Sequence, residues 1–221
     1  MMKQALSTAA VLMLSTQLVQ AVELSIYTGV QEAPHSNIDL FDPSGPGAPV
    51  DDDFSAGWDG RSFEMPPYYG IRATWWRNDR LGYAIEFTHA KVYADDETLD
   101  ETGYEELEFT DGLNSVIASV RYRWPDQWGS LTPYVNAGLG VSIPYVEVQT
   151  APDAEATEGL QYGGLAGAFA LGVHYDFNAR WGMFGEYRFS YQQVNVDLDG
   201  GGELDTDIIT NALNIGVSYN F

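Results

Sequence analysis

Leu213, Ile215, Val217, Tyr219 and Phe221 alternate with Ala212, Asn214, Gly216, Ser218 and Asn220. One face of this segment is large and apolar, the other small and polar. A soluble sandwich also alternates, but it turns its large apolar side chains inward and sets Lys, Glu or Thr outside. Glycine and asparagine suit a narrow wet lumen, so the pattern predicts a barrel strand with its apolar face in lipid.

The same period recurs upstream. Val22, Leu24, Ile26 and Val30 alternate with Glu23, Ser25, Tyr27, Gly29 and Gln31; Val135, Ala137, Leu139, Val141 and Ile143 alternate with Asn136, Gly138, Gly140 and Ser142. Phe169 to Phe177 and Tyr187 to Tyr191 repeat it, and weaker alternation covers Tyr69 to Trp76, Tyr83 to Phe87 and Val116 to Trp124. Connections at 78–81, 125–130 and 178–180 are short, whereas 33–67, 94–106, 144–162 and 194–207 are long. Short periplasmic turns opposite long outer loops are the outer-membrane pattern. The expected fold is all-β: an eight-stranded antiparallel transmembrane outer-membrane barrel with long extracellular loops, in one domain over 22–221. The aromatic end of the last strand resembles the C-terminal signal read by the outer-membrane assembly machinery, which makes that machinery an expected partner through Phe221.

Lys3, the apolar run 5–14 and Val19-Gln20-Ala21 form a secretory signal, so residues 1–21 are expected to be cleaved after export by the Sec pathway to the cell outer membrane. The chain carries 32 Asp and Glu against 10 Lys and Arg, a net charge of -22, which excludes a nucleic-acid partner on electrostatic grounds. Cysteine is absent, so thiolate metal sites and cysteine catalysis are excluded as well.

Eight strands leave an interior that side chains fill. Glu23, Arg72, Glu86, Arg121, Arg123, Glu186 and Arg188 fall on that face and are expected to pair with one another, closing the pore. His174 shares it and is expected to hydrogen-bond there. Trp75, Trp76, Trp124, Trp128, Trp181, Tyr219 and Phe221 collect at the short-turn end as an interfacial girdle.

Function is left to the loops. In the last one, Asp197, Asp199, Asp205 and Asp207 surround three glycines; the spacing lacks the frame of a calcium loop and fits a glycine-rich hairpin better. His35 and His89 lie where the first and third strands emerge. Facing one another, with Glu64, Asp111 or Asp207, they would form a two-His, one-carboxylate site for a divalent metal. A serine hydrolase is disfavoured: Ser36 beside His35 is the sole adjacent pair, and strand neighbours point to opposite faces.

APHS (33–36), SAGWDGRSFEMPPYYGIRATWWRND (55–79), FTHAKVYAD (87–95), EFTDGLN (108–114) and DLDGGGELDTDIITNALNIG (197–216) resemble the outer-membrane lipid A oxidases over nearly the whole mature chain. That resemblance implies O2-dependent oxidation of a lipid A glucosamine to 2-aminogluconate with release of hydrogen peroxide, and lipid A or lipopolysaccharide as the membrane partner. No flavin or nicotinamide fingerprint is present, so a metal is the acceptor such chemistry would use. On this reading His35, His89 and Asp207 hold the metal, Glu64 or Asp111 is the base, and Trp58, Arg61, Phe63, Tyr68 and Lys91 meet the substrate. The other class open to the sequence is a non-enzymatic, OmpA-like structural or adhesive barrel.

Overall fold

The computed structural model describes residues 22–45 and 49–221; the expected leader, residues 1–21, lies outside them. In chain order the elements are β1 (Val22–Glu32), β2 (Ser36–Asp42), β3 (Val50–Ala56), β4 (Trp58–Asp59), β5 (Tyr69–Trp76), β6 (Leu81–Ala94), α1 (Asp96–Thr102), β7 (Glu106–Arg123), β8 (Leu131–Gln149), β9 (Thr157–Leu160), β10 (Gly164–Asp176), β11 (Trp181–Leu198) and β12 (Gly202–Asn220).

Antiparallel pairing runs β1-β5-β6-β7-β8-β10-β11-β12 and returns from β12 to β1, where Glu23 meets Asn220 and Glu32 meets Asn211. The sheet has no free edge around this ring, as a lipid environment requires. The remaining strands are additions to its upper part: the β2–β3 hairpin on β12, β4 on β6 and β9 on β8. Turns at the opposite end are tight. Asn78 and Asn178 each accept, through Oδ1, the backbone N–H groups two and three residues on, a side-chain substitute for a backbone turn.

In the lower part of the ring large apolar groups point out, with Leu139 78%, Leu213 63% and Ile215 57% exposed. Inside lie buried charges. Arg72 bonds Glu86 and, through both terminal nitrogens, Glu186; Arg188 bonds Glu86; Arg121 meets Glu23 at 2.7 Å. Tyr27 and Tyr134 donate to Glu86 and Glu186 at 2.8 and 2.6 Å. His174 completes the lower lumen at 2.8 Å from Ser218 Oγ.

Arg123 departs from the expected network. Its guanidinium stacks 3.8 Å from the Trp76 ring and donates to the Asp79 carbonyl, closing the short-turn end instead of pairing in the lumen. Trp76 likewise leaves the expected girdle: it points inward, 7% exposed, and its Nε1 donates to Glu23. A tryptophan on the lumenal side has its N–H satisfied by a carboxylate there, which lipid could not provide.

The outer connections differ more from expectation. Residues 194–207 are not a long loop, because β11 runs to Leu198 and β12 starts at Gly202, joined by a turn in which Gly200 and Gly201 have φ of +86° and +93°. Similarly, 144–149 continue β8, and 94–106 contain α1, capped by Asp95 at its start and by left-handed Gly103 at its end. These strands reach 18 to 19 residues, well beyond the roughly 10 that cross a bilayer. The excess forms a β-built turret above the membrane band.

The turret reverses the polarity of the wall. On β11, Val194, Val196 and Leu198 point inward while Asn195 and Asp197 point out; on β12, Leu204 and Ile208 point inward while Glu203, Asp205 and Asp207 point out. Ile38, Leu40, Phe109, Val146 and Leu107, each at most 1% exposed, join them in one core. Water lies outside the turret and lipid outside the lower ring, so each half hides its apolar side chains from water by opposite orientations of one continuous sheet.

Candidate functional site

β5 is short. It ends at Tyr69, whereas β1 on one side climbs to Glu32 and β6 on the other to Ala94. The resulting seam in the wall is filled by residues 57–68 of the first long connection. Ser62 Oγ accepts from the Gln31 N–H at 2.8 Å, Thr28 Oγ1 donates to the Tyr68 carbonyl at 2.7 Å, and Gln31 Nε2 donates to the Lys91 carbonyl. Gly60 presses on β1 so closely that a Cβ there would lie 2.2 Å from the Gln31 carbonyl oxygen.

This explains the aromatic density of the segment. Trp58 is 5% exposed, packs on Phe109 and donates from Nε1 to Ser36 Oγ; Tyr68 is 2% exposed and packs on Tyr27. Both are built into the wall, and Tyr68 also lines an apolar groove on its outer face. Phe63 and Met65 do the reverse, standing 71% and 83% exposed on the outside of the seam.

Beside them lies a cationic spot. Arg61 holds a left-handed backbone, φ +31°, and places its guanidinium 4.4 Å from the centroid of Tyr93; Lys91 Nζ lies 5.0 Å from the same ring. Lys91 is 0% exposed, and its ammonium donates to the Glu64 carbonyl at 3.3 Å. It makes no ion pair among the described residues. Glu64 contributes its backbone here.

Two residues below Lys91, His89 stacks on Tyr69 at 5.2 Å and its Nδ1 shares a hydrogen bond with Asn114 Oδ1 at 3.0 Å. Its Nε2 is buried and has no hydrogen-bond partner among the described residues. Asp111 is exposed in the irregular stretch of β7 where pairing to β8 breaks between Glu108 and Leu113.

His35 is elsewhere. It lines a cleft of about 360 Å³ on the outer face of β2 and β12, together with Asp39, Asp53, Asp205 and Asp207. The cross-strand register sets Asp53, Asp39 and Asp205 directly opposite one another on three adjacent strands. Burial, with Asp207 and Asp39 beside it, raises the Asp205 carboxyl above its ordinary value. His35 and Asp207 therefore line one cleft, and His89 is not among its lining residues.

Among the described residues, the one trio of His or acidic groups with ligand atoms close enough for a shared ion is Glu106, Glu108 and Glu147. The set His35, His89 and Asp207 does not fit a metal. The glutamate trio, which the sequence concealed because strand pairing alone brings Glu147 beside Glu108, offers hard oxygen donors of the type suited to Mg2+ or Ca2+. Burial and the neighbouring carboxylates raise both Glu106 and Glu108.

A family profile described as the outer membrane protein beta-barrel domain matches residues 6–221. Among solved structures, Neisserial surface protein A is similar at 16% identity over 91% of this chain and 99% of that one, with a TM-score of 0.51. The N-terminal β-barrel domain of Pseudomonas aeruginosa OprF aligns at 14% identity over 91% and 98%, TM-score 0.44, and Ail of Yersinia pestis at 11% over 92% and 100%, TM-score 0.39. No curated protein sequence matches.

Proposed function

This chain belongs to the outer membrane protein β-barrel domain family, and from that premise we propose a closed barrel that works through its exterior, as a structural or adhesive outer-membrane protein and not as a channel. The observation that carries this reading is the filled interior. A charged network occupies the lower lumen, and above it Ile38, Leu40, Phe109 and Leu204 are at most 1% exposed in an apolar plug. Moving a hydrated ion past both would mean breaking buried ion pairs and then wetting an apolar core. Planar-bilayer recordings of the purified barrel test it: the expected record shows no stable large openings, and persistent conductance would overturn the reading.

One observation favours a second reading, the oxidation of lipid A that the sequence resemblance implies. Arg61 and Lys91 stand just above the outward-facing pair Ile71 and Phe87, and in an outer-membrane barrel that would be the level of a phosphorylated sugar of the outer leaflet. In that reaction the anomeric carbon gives two electrons and two protons to O2, which leaves as hydrogen peroxide, and water opens the lactone to the acid. Exposed Asp111, near His89, is a base with access to such a sugar; no step is assigned to a metal. Mass spectrometry of lipid A incubated with the barrel in air and under nitrogen decides: a gain of one oxygen only in air supports oxidation, and an unchanged mass leaves the structural reading alone.

A further inference from the structure

The upper part of β12 carries β2, β2 carries β3, and the sheet stops there. Among the described residues, β3 pairs with β2 from Val50 to Ala56 and with no other strand. Only beyond its end, at Gly57, does the chain find another partner, where the N–H donates to Thr98 Oγ1 and the carbonyl accepts from the Asp95 N–H. β9 is different: past it, the Asn195 N–H donates to the Gly163 carbonyl and the Asp197 N–H to Gln161 Oε1, which ties that side to β11. Seven residues of β3, roughly 23 Å of strand, thus leave backbone N–H and C=O groups unpaired along one side.

The edge is held from within. Tyr104 donates from its hydroxyl to Asp52 at 2.7 Å and packs edge-on against Phe54, so the inner face of β3 is pinned to the segment that follows α1. A strand fixed in advance loses little freedom when another joins it.

Charge decides what can join. Asp51 and Asp53 stand two residues apart on the exposed face, and Asp39 and Asp205 continue the Asp53 row across the next two strands. Residues 32–60 and 189–221 contain no Lys or Arg to offset them. A second copy pairing β3 on β3 would set these acids against their own kind, and like charges directly opposite one another destabilise a sheet. The acids that guard the edge against self-association are the ones a cationic strand would meet, because its alternate side chains would lie beside Asp51 and Asp53 on one face.

We propose that the free edge of β3 is a docking site for an extended cationic polypeptide. It joins the turret sheet as a further strand, its backbone bonded to β3 and its alternate Lys or Arg side chains against Asp51 and Asp53. Main-chain bonds supply the affinity of such additions, and side chains select the partner. The site gives a barrel that works through its exterior a class of partner, and it rests on that reading. Conductance would overturn the reading, whereas a silent barrel that ignores such a strand would overturn the site alone.

Titration of two fluorescently labelled peptides with the full barrel in non-ionic detergent, read by anisotropy, tests the proposal. One is a short peptide of alternating lysine and threonine; the other is the same peptide N-methylated at every residue, which keeps the charge but cannot pair as a strand. The wild type should bind the first about ten-fold more tightly, the worth of a few net backbone hydrogen bonds. Asp51→Asn with Asp53→Asn should weaken that binding about five-fold, the worth of two exposed ion pairs, with the heat-dependent gel shift of the wild type retained. Amide exchange within 50–56 should slow when the first peptide is bound. Equal binding of the two peptides, which marks a merely electrostatic surface, would overturn the site. So would unchanged exchange at 50–56, or a double variant that binds as the wild type does.

Discussion

Arg72 and Glu186 meet across the lumen in a two-pronged pair, Nη2 to Oε1 at 2.7 Å and Nη1 to Oε2 at 3.1 Å, linking β5 to β11. Neither strand is hydrogen-bonded to the other in the sheet. The pair spans the interior of the ring, and both side chains have no solvent exposure.

Removing one partner should therefore cost more than the pair contributes. Arg72→Met strands Glu186 and deprives Glu86 of one of its two cations, an uncompensated buried charge worth about 3–5 kcal/mol of destabilisation. Arg72→Met combined with Glu186→Leu should recover a large part of it. Urea unfolding of the detergent-refolded barrel, followed by tryptophan fluorescence, measures both; a double variant as unstable as the single one would contradict this account.

A second expectation concerns pH. Burial and neighbouring carboxylates raise Glu106 and Glu108, and burial with Asp207 and Asp39 raises Asp205, all in the turret. A carboxyl whose folded pKa is raised binds its proton more tightly when folded. Its stabilising contribution is complete below the unfolded value and is lost as pH climbs through the folded one. The turret should accordingly lose stability between acid and neutral pH. Hydrogen-exchange protection factors for 106–109 and 146–149 should fall over that range in the wild type, and fall less in Glu108→Gln. Asp42, lowered despite its burial by the hydrogen bonds it accepts from Thr150 and Ser44, and Asp95, lowered by those it accepts from Thr98, work in the opposite sense and would dominate if protection rose instead.

The turret and the membrane band should come apart under mutation. Leu204→Ala opens a cavity in the apolar plug, where the side chain is 1% exposed, at a cost of about 2–5 kcal/mol. The lumenal ion pairs lie below and are untouched. Limited proteolysis in detergent should then cut within 150–163 or 199–201 while a resistant lower ring persists; loss of the ring together with the turret would show one cooperative unit.

The lower ring was legible because lipid and lumen impose opposite chemistries at each alternate residue, so Leu213 to Val217 announce both their period and their environment. The turret kept the period and exchanged the faces. In β11 the apolar positions pass from Tyr187, Phe189 and Tyr191 to Val194, Val196 and Leu198, a change of parity, and with acids between them that stretch read as a loop. A parity test on 194–208 would have found it. The seam was not legible in that way, since nothing local tells that β5 stops at Tyr69 while its neighbours continue, and this is what builds Trp58 and Tyr68 into the wall. His35 comes near Asp95 at the top of β6, six residues above His89 on that strand, a separation fixed by where the β2–β3 hairpin is mounted, which two short sequences around histidines do not encode.

A sheet whose greasy side changes from outside to inside carries its own waterline. Sliding the chain inward by two residues, roughly 7 Å, would drive Asp207 and Asp205 toward hydrocarbon on β12, and sliding it outward would lift Leu139 and Leu165 into water. Immersion depth is thus a property written into the strands, independent of any anchoring group, and everything mounted on the turret is delivered to a set height above the cell.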